Sequence, residues 1–503
     1  MTGMIRKLVA SAVAYTPAGA NNVARTEQDK GRERPTPGDK GAKGDGVTND
    51  TAAFAAFEAE NVGRVVDLAG LTYVVNAVPT KNAYQNGVFL VSGARQQAAS
   101  FRSFNTSKAK FKAFGGQMRA LHASLLNPLE QQTTIVVAGD SKTWGAGLTE
   151  NAAIITLSRN GTPADPRDMY ASPSWANEFK RYIGERYFDN AAPVLSNWST
   201  SPSGQSTATF SRTETLYTNL PPFSAVSLVG SASSTEQADS GTLLGERHNL
   251  AVADSSATAA FSFPFTGTAF TMVYNSVPGQ SANYEVFVNG TSQGVFSSDT
   301  GSLQANVTRT HTFAYVRNAT IMIKVEYPAG GSGVCTLRMS AIQIQKTCTI
   351  MNQGIIGATS LTYLQRMFGA YGPSIMTPDV NYVMLQMGTN DRIAASGNNQ
   401  PNCTNNFKRN LLNLLAMFTP TASVILMNPS PAALESPPTY AFDSQYVRNV
   451  VHRVAQEQSL DVIDNHTIFR GMDTSAYLND GLHENLLGHA MIAGNVINAL
   501  ESA

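Results

Sequence analysis

The chain contains few cysteines and few charged residues. Its 503 residues include three cysteines, Cys335, Cys348 and Cys403, an odd number without paired spacing. This pattern excludes a disulfide framework and a cysteine-rich zinc site. Charged residues make up 14% of the chain, and 36 basic residues balance 36 acidic ones. A chain without basic excess lacks the electrostatic footprint of a general nucleic-acid binder, so we expect no nucleic-acid partner.

Long hydrophobic runs are also absent. No stretch approaches the roughly 20 apolar residues of a membrane-spanning helix, so we expect no membrane insertion. Arg6 and Lys7 precede the run LVASAVA, which is at the short end for a signal peptide, and we expect an ordinary N-terminal segment there. The apolar fraction of 42% is sufficient for a folded core. The length suggests about three domains.

The N-terminal part combines a charged connector with a glycine-rich turn. RTEQDKGRERPTP is followed by PGDKGAKGDGV and then by TAAFAAFEAE, a predicted helix with Phe54 and Phe57 on one face. GRVVDLAG and LTYVVNAV are predicted as short strands. After about residue 95 the chain becomes rich in Ser, Ala and Lys, and then helical in GGQMRALHASLLNPLEQQ. We therefore predict a helical linker over residues 96–132.

The run ARTEQDKGRERPTPGDKGAKGDGVTNDTAAF resembles the segment that opens many phage tailspikes and tail fibres. In those proteins a β-helix follows, but no long series of short strands follows here. The resemblance implies that residues 1–95 form a tail-attachment or trimerisation segment. It also implies a homotrimer that binds other phage tail or baseplate proteins through its N-terminus. The expected location is the virion tail, acting at the bacterial cell surface.

Beyond residue 133 the sequence alternates between buried strands and helices. TTIVVAG is a strand, and SPSWANEFKRYIGERYF is a helix with Ser174 as its expected N-cap. From residue 347 the alternation resumes, with VNYVMLQMG and SVILMNP as strands and ENLLGHAMIAGNVINALES as the last helix. Such alternation predicts an α/β domain with a parallel sheet, built from residues 133–190 and 347–503.

Residues 191–346 interrupt this domain with a different pattern. They are rich in Ser, Thr, Gly and aromatic residues. They contain separate strand-like runs, among them TAAFSFPF and TAFTMVY, and turn signals such as Asn289-Gly290 and Gly330-Gly331. Short strands at this spacing predict an inserted β-sandwich. Its aromatic residues, among them Tyr274, Tyr284 and Phe287, alternate as core residues do; a role as sugar-stacking platforms is the alternative.

Four short polar runs stand at predicted strand ends or just before the last helix. They are GDSKTWG with Ser141, NQGIIG with Gly357, GTND with Asn390, and DGLH with Asp480 and His483. Ligand sites in open α/β sheets form outside the carboxyl ends of the strands. A serine hydroxyl attacks an ester only when an imidazole takes its proton, and a carboxylate three residues before that imidazole can fix its tautomer.

The tetrahedral intermediate of such a reaction also needs hydrogen-bond donors. The backbone N–H groups of Ser141 and Gly357 and the side-chain amide of Asn390 can supply three of them. These blocks, in this order, are similar to the four signature blocks of the SGNH (GDSL) hydrolase family. The resemblance implies a flavodoxin-like three-layer α/β/α sandwich and a serine esterase mechanism without metal or cofactor. It assigns Ser141, His483 and Asp480 as the triad and Ser141, Gly357 and Asn390 as the oxyanion hole.

The resemblance leaves several assignments open. Gly354 is an alternative to Gly357, and Asp464 is an alternative to Asp480. Trp144 lines the acyl pocket as a substrate-binding residue or covers the strand end. Asp140 is expected to shape the turn before Ser141, and Asp391 to cap the next helix. The remaining histidines lack metal-ligand spacing.

Both resemblances together imply a phage tailspike esterase that removes O-acetyl groups from a bacterial surface polysaccharide, capsule or O-antigen. The inserted β-sandwich would then be of carbohydrate-binding type. A receptor-binding tail fibre without catalysis, a secreted general esterase or lipase, and a β-helix polysaccharide lyase are the alternatives.

Overall fold

The computed structural model describes most of the chain from residue 36 onward. The described residues are 14–15, 25–26, 36–61, 65–68, 71–77, 79, 81–85, 88–91, 94–97, 110–148, 170, 172–196, 206–218, 223, 226–369, 371–393, 404–435 and 439–503. Arg6, Lys7 and Cys403 lie outside them. The chain divides into two compact units, residues 1–109 with 490–502 and residues 110–489 with Ala503. None of the described helices has the length and apolar character that crossing a membrane requires.

Within residues 1–109, the described part of the first unit consists of short strands, a 3₁₀ turn and one helix. Its elements are β1 (Ala14–Tyr15), β2 (Arg25–Thr26), a 3₁₀ turn (Pro37–Lys40), β3 (Asp45–Asn49), α1 (Thr51–Glu60), β4 (Val65–Asp67), β5 (Thr72–Val75), β6 (Ala83–Gln85), β7 (Val88–Val91) and β8 (Ala94–Gln97). The chain alternates between two parallel ladders, β3-β5-β7 and β4-β6, and β8 closes the first ladder antiparallel. The predicted strands and helix are confirmed, but their alternation between two ladders was not predicted.

The GDGVTND motif forms the turn that starts the first ladder. The Asp50 carboxylate accepts the N–H groups of Lys43 at 2.7 Å and Gly44 at 3.2 Å. Gly44 has φ +62°, and a Cβ there would lie 2.8 Å from the Leu71 Cβ, so glycine is required. Phe54 and Phe57 on α1 are buried, as their shared face predicts.

The second unit contains the remaining strands. They are β9 (Phe111–Lys112), β10 (Gln132–Gly139), β11 (Val194–Ser196), β12 (Thr207–Leu216), β13 (Ser227–Val229), β14 (Ala232–Ala238), β15 (Glu246–Val252), β16 (Thr258–Ser276), β17 (Asn283–Val288), β18 (Thr291–Ser297), β19 (Gln304–Glu326), β20 (Cys335–Gly354), β21 (Val380–Gln386), β22 (Ser423–Met427) and β23 (Val462–Ile463).

Among the described residues, ten further helices follow in chain order. They are α2 (Gln117–Leu126), α3 (Ser141–Trp144), α4 (Trp175–Tyr187), α5 (Ser360–Met367), α6 (Tyr371–Ile375), α7 (Thr404–Phe418), α8 (Ser444–Glu457), α9 (Asn465–Ile468), α10 (Thr474–Tyr477) and α11 (Leu486–Glu501), with a 3₁₀ turn at Asn390–Arg392. The predicted N-cap of α4 is confirmed, because the Ser174 hydroxyl accepts the Asn177 N–H at 3.3 Å.

Five strands form the parallel sheet, in the order β20-β10-β21-β22-β23. Numbered along the chain this order is 2-1-3-4-5, the order of flavodoxin-like folds. The carboxyl ends are in register: Gly139 lies opposite Gly354 and Gln386, Gln386 opposite Met427, and Met427 opposite Ile463. Loops that leave these ends therefore meet at one edge of the sheet.

A buried apolar cluster lies between this sheet and its helices. It includes Val136, Val383 and Leu426 from the strands and Leu414 and Val451 from α7 and α8. All five side chains are at most 2% exposed. The strands are buried because they run through the centre of the sheet, which explains their nearly continuous apolar sequences.

The β-rich region continues this sheet through β20. The carboxyl half of β20 pairs with β10 in parallel and with β12 antiparallel, and its amino half pairs with β15 and β16. The boundary between residues 346 and 347 thus lies within one strand. Tyr274 and Tyr284 are buried in the apolar core of this region, while Phe287 is half-buried.

Candidate active site

Ser141 is placed by a tight turn at the carboxyl end of β10. Gly139 ends the strand, and a Cβ there would lie 2.2 Å from Thr143 Oγ1 and 2.5 Å from the Gln386 carbonyl oxygen. Asp140 caps α3, since its Oδ1 accepts the Lys142 N–H at 3.1 Å. Ser141 is the first residue of this helix, so its own N–H has no partner within the helix.

The hydroxyl of Ser141 lies next to the imidazole of His483, although the two residues are 342 positions apart in the chain. The Oγ to Nε2 distance is 2.9 Å. On the other side of the ring, Nδ1 lies 2.7 Å from Oδ2 of Asp480. The His483 side chain is 20% exposed and that of Asp480 is 52% exposed, so solvent reaches this end of the arrangement.

Asp480 is fixed as an ionised acceptor. Its Oδ1 accepts the N–H of Leu482 at 2.9 Å and the N–H of His483 at 2.7 Å. Burial opposes ionisation, but these bonds and the His483 ring lower the pKa of Asp480 to about 2. Gly481 turns the chain between them with φ +80°. The carboxylate therefore orients the ring so that Nε2 faces the hydroxyl.

The two candidate oxyanion glycines lie in different environments. The Gly354 N–H donates to Asn352 Oδ1 at 2.9 Å, and a Cβ at Gly354 would lie 2.1 Å from the Trp144 nitrogen. Gly354 therefore permits the close packing of β20 against α3. Gly357 has φ +70° and open space around its Cβ position, and its N–H makes no hydrogen bond among those of the described residues. This geometry favours Gly357 as the donor.

Asn390 and Asp391 each contact the segment that follows Gly357. Asn390 Nδ2 donates to the Ala358 carbonyl at 3.0 Å, which leaves the second amide hydrogen for another acceptor. The neighbouring Asp391 carboxylate accepts both the N–H and the hydroxyl of Ser360. Asp391 thus holds the start of α5, which lies before it in the chain, and the predicted cap on the following helix is wrong.

The carboxylates of Asp140 and Asp391 are buried without a cationic partner at hydrogen-bond distance among the described residues. Asp140 accepts the Thr389 N–H at 3.3 Å and so joins the Ser141 turn to the Asn390 turn. Burial raises the pKa of both groups, that of Asp391 to about 6 against the opposing Ser360 bonds. The expected structural role of Asp140 in shaping the turn agrees with these contacts.

Two segments of the chain match models of known protein families. Residues 337–491 match the GDSL-like lipase/acylhydrolase family. The chain carries a GDSL-like acylhydrolase domain. Residues 42–98 match the N-terminal extension of bacteriophage endosialidase, which indicates a phage tail protein. Ser141 lies outside the first match because residues 191–346 separate it from the other three blocks.

Solved structures similar to this chain share low sequence identity with it. The chain is similar to a peptidoglycan O-acetylesterase at 14% identity and a TM-score of 0.35, covering 78% of this chain and 98% of that one. The acetylxylan esterase Axe2 of Geobacillus stearothermophilus is 20% identical, with a TM-score of 0.27, over 30% of this chain and 72% of that one. No curated protein matches the chain. Similarity of this size does not establish a substrate.

Two further residues singled out from the sequence are Asp464, the alternative triad carboxylate, and Trp144, the candidate substrate contact. Asp464 pairs with Arg448 at 2.7 Å and lies 3.3 Å from His452. Its pKa is lowered because these partners outweigh its burial. Trp144 is 8% exposed at the end of α3, and its role as a substrate contact stays a prediction.

Sequence reasoning missed a buried polar cluster behind the Ser141 and His483 pair. Lys142 and Glu484 follow Ser141 and His483 directly, and their side chains meet at 2.9 Å with no exposure to solvent. Ser430, from the loop after β22, hydrogen-bonds to both. The only local signal is that each charged residue adjoins a proposed catalytic residue; their contact joins segments distant in the chain.

Proposed function

We propose that this protein is a phage tailspike carbohydrate esterase that removes O-acetyl groups from a bacterial surface polysaccharide. One observation carries the chemistry: Ser141 Oγ lies 2.9 Å from His483 Nε2, whose other ring nitrogen lies 2.7 Å from Asp480. A serine, an imidazole and an orienting carboxylate at these distances are the components of an acyl-transfer site. The match of residues 42–98 to a phage N-terminal extension supports the tail location.

In the first half-reaction Ser141 Oγ attacks the acetyl carbonyl carbon while its proton passes to His483 Nε2. Asp480 accepts the Nδ1–H of the resulting imidazolium and stabilises its charge. The tetrahedral intermediate then collapses, and its bond to the sugar oxygen breaks. His483 returns the proton to that oxygen, which leaves as a free hydroxyl group, and the acetyl group stays on Ser141.

In the second half-reaction a water molecule attacks the acetyl-serine. His483 takes a proton from the water and gives it to Ser141 Oγ as the second tetrahedral intermediate breaks down to acetate. The 20% exposure of His483 gives water access to the ring. The polysaccharide backbone takes no part in either step, so its length stays unchanged.

The oxyanion of both intermediates is assigned to three donors. They are the N–H of Ser141 at the start of α3, the N–H of Gly357 and the second amide hydrogen of Asn390. The bond from Asn390 Nδ2 to the Ala358 carbonyl and the bond from the Ser360 N–H to Asp391 support this assignment, because they hold the Asn390 amide and the segment after Gly357. Donors that are already oriented cost no reorganisation in the transition state, which is the main source of their effect.

A neutral or weakly charged sugar polymer fits the composition of the chain. Its charged fraction is 14% with no net charge, so Ser, Thr, Asn and Gln supply most polar groups. Such groups form hydrogen bonds with hydroxyl-rich ligands.

The proposal also covers two other regions of the chain. Residues 1–95 are proposed as the segment that attaches a homotrimer to other tail proteins, and residues 191–346 as a carbohydrate-binding-like β-sandwich. Sedimentation of the full chain tests the trimer.

Incubation with a panel of O-acetylated capsules and O-antigens tests the function. Proton NMR follows the loss of bound acetyl methyl signals and the gain of free acetate, while size-exclusion chromatography follows polymer length. We expect acetate release from at least one polymer at constant length, and none with Ser141→Ala. Binding without acetate release would support the receptor-binding fibre, and shortened polymer would support a lyase or glycosidase.

A further inference from the structure

Lys142 makes three buried contacts that use all its N–H donors. Its Nζ donates to Ser430 Oγ at 2.7 Å, to the Leu482 carbonyl at 2.5 Å and to Glu484 Oε1 at 2.9 Å. An ammonium group has three hydrogens, so the side chain is fully satisfied and fixed in one position. Two of the three acceptors flank His483 in the chain, on its two sides.

Lys142 is also bound through the backbone to the serine. It is the second residue of α3, directly after Ser141, and its N–H donates to Asp140 on the other side of the serine. A movement of the Lys142 side chain therefore moves the turn that carries Ser141. The Lys142 side chain also donates to the carbonyl of Leu482, directly before His483, and to the carboxylate of Glu484, directly after it.

Further contacts join the same two segments. Asn479 Nδ2 donates to the Gly147 carbonyl at 3.2 Å, and His489 Nε2 lies 3.2 Å from the Ala146 carbonyl. A Cβ at Gly147 would lie 2.2 Å from the Glu484 carbonyl oxygen, so the two backbones touch. The serine and histidine segments are thus packed directly on each other, with the Lys142–Glu484 pair between them.

Stability alone is a poor explanation for this pair. Removing two charges from water is costly, and well-packed apolar residues of the same volume often stabilise a protein more than a buried ion pair does. One carboxylate oxygen, Glu484 Oε2, is buried and has no hydrogen-bond partner among the described residues, which adds to the cost. Lys142 and Glu484 directly follow Ser141 and His483 in the chain. The cost of burying this pair therefore indicates a role in the geometry of Ser141 and His483.

We propose that Lys142 and Glu484 form a positioning pair that sets the distance between Ser141 Oγ and His483 Nε2. Neither side chain touches the substrate; both act through the residues that precede them. This inference rests on the proposed function of Ser141 and His483. Because a misplacement of about 1 Å can cost about 100-fold in rate, the pair is expected to affect kcat rather than KM.

The test measures hydrolysis of p-nitrophenyl acetate by the full chain. Loss of one partner leaves an unpaired buried charge, so the main variant is the neutral double substitution Lys142→Met with Glu484→Gln. We expect it to keep its thermal unfolding temperature within a few degrees while kcat falls about 10- to 100-fold and KM stays within about twofold. Unchanged kcat in the folded double variant would overturn the proposal.

Lys346→Met is the matched control for removing a buried lysine. Lys346 is also unexposed, and its Nζ donates to the carbonyls of Ser124 and Asn127, which belong to neither reacting segment. We expect it to lower the unfolding temperature and to leave kcat unchanged. An equal fall of kcat in both variants would assign the effect to general loss of packing and overturn a specific role.

A milder variant covers the case in which the double variant does not fold. Ser430→Ala removes the hydroxyl that contacts both charged groups and keeps the charges paired. We expect kcat to fall a few-fold at constant KM; unchanged kcat would contradict the proposal. Wild type and Ser141→Ala are measured in parallel, because an inactive wild type would contradict the proposed function rather than the positioning pair.

Discussion

Two histidines in the two halves of the second unit differ in burial and in their partners. In the β-rich region His248 lies 3.1 Å from Thr218 Oγ1 and 2.8 Å from Ser234 Oγ, both within 30 residues of it. Burial lowers the pKa of His248 to about 4, so the ring stays neutral. His483 instead keeps 20% exposure and contacts Ser141, 342 positions away.

This comparison separates polar groups that are satisfied within the β-rich region from polar groups of the proposed active site. Inside the β-rich region the hydroxyl partners of His248 satisfy a ring that burial would otherwise leave unpaired. At the carboxyl edge of the parallel sheet, Ser141, Asn390 and His483 arrive from three separate loops and leave donors and a hydroxyl available. Distant partners and residual exposure, rather than burial alone, distinguish the groups of the proposed active site.

The largest expected difference is between a substitution of His483 and a substitution of His248, each made separately. His483→Ala is expected to lower kcat about 10⁴- to 10⁶-fold without lowering the unfolding temperature, because a serine without its base is a poor nucleophile. His248→Gln is expected to lower stability and leave kcat unchanged. Steady-state kinetics and calorimetry on both variants measure the two effects. A large kcat loss in His248→Gln would break the comparison.

Two buried amides give the next largest contrast. Asn390→Ala is expected to lower kcat about 10²- to 10³-fold through loss of one oxyanion donor. Asn275, in the β-rich region, accepts the Asn306 N–H at 2.9 Å and is 7% exposed. Asn275→Ala is the control and is expected to change only stability. If Asn390→Ala keeps its kcat, the amide is not part of the oxyanion hole.

The two glycines of the NQGIIG run, Gly354 and Gly357, allow a comparison of two substitutions at the carboxyl edge of the parallel sheet. Gly354→Ala would place a Cβ 2.1 Å from the Trp144 nitrogen, so we expect a loss of about 3 kcal/mol in the free energy of unfolding. Gly357→Ala meets no atom and carries only the strain of φ +70°, about 1 kcal/mol. Urea unfolding measures both; equal losses would contradict the separate roles.

The smallest effect concerns the pH dependence of stability through Asp391. Burial raises the pKa of Asp391 to about 6, so the folded protein holds a proton that the unfolded chain releases near pH 4. Its contribution is complete below about pH 4 and is lost as the pH rises through about 6, a change of roughly 1–3 kcal/mol. The difference between wild type and Asp391→Asn, measured by urea unfolding, should fall over this range; a constant difference would contradict the raised pKa.

The sequence pointed to the contact of Ser141 with His483 and Asp480 but not to the side chains that hold these residues. Ser141, Gly357, Asn390, Asp480 and His483 stand in short blocks that were found by pattern. Lys142, Ser430 and Glu484 lie in no pattern of their own, and only the fold brings them together. A contact over more than 300 positions leaves no local periodicity from which it could be inferred.

Strand lengths in the β-rich region show a second limit of local signals. TAAFSFPF and TAFTMVY were predicted as two strands, but they form the single strand β16, which shifts its register around Gly267. Likewise β20 continues from the antiparallel region into the parallel sheet. The partner strand decides where pairing continues, because a bulge absorbs a glycine that would otherwise indicate a turn. By contrast, the Asn289-Gly290 turn was predicted correctly, with both residues at positive φ.

The most direct test of the central claim is covalent labelling by a serine-reactive fluorophosphonate, read by intact-protein and peptide mass spectrometry. We expect one adduct per chain on the peptide that contains Ser141, and a rate of labelling that falls sharply in His483→Ala while the fold is kept. Labelling elsewhere, or equal rates in wild type and His483→Ala, would contradict an imidazole-activated serine at the edge of this sheet.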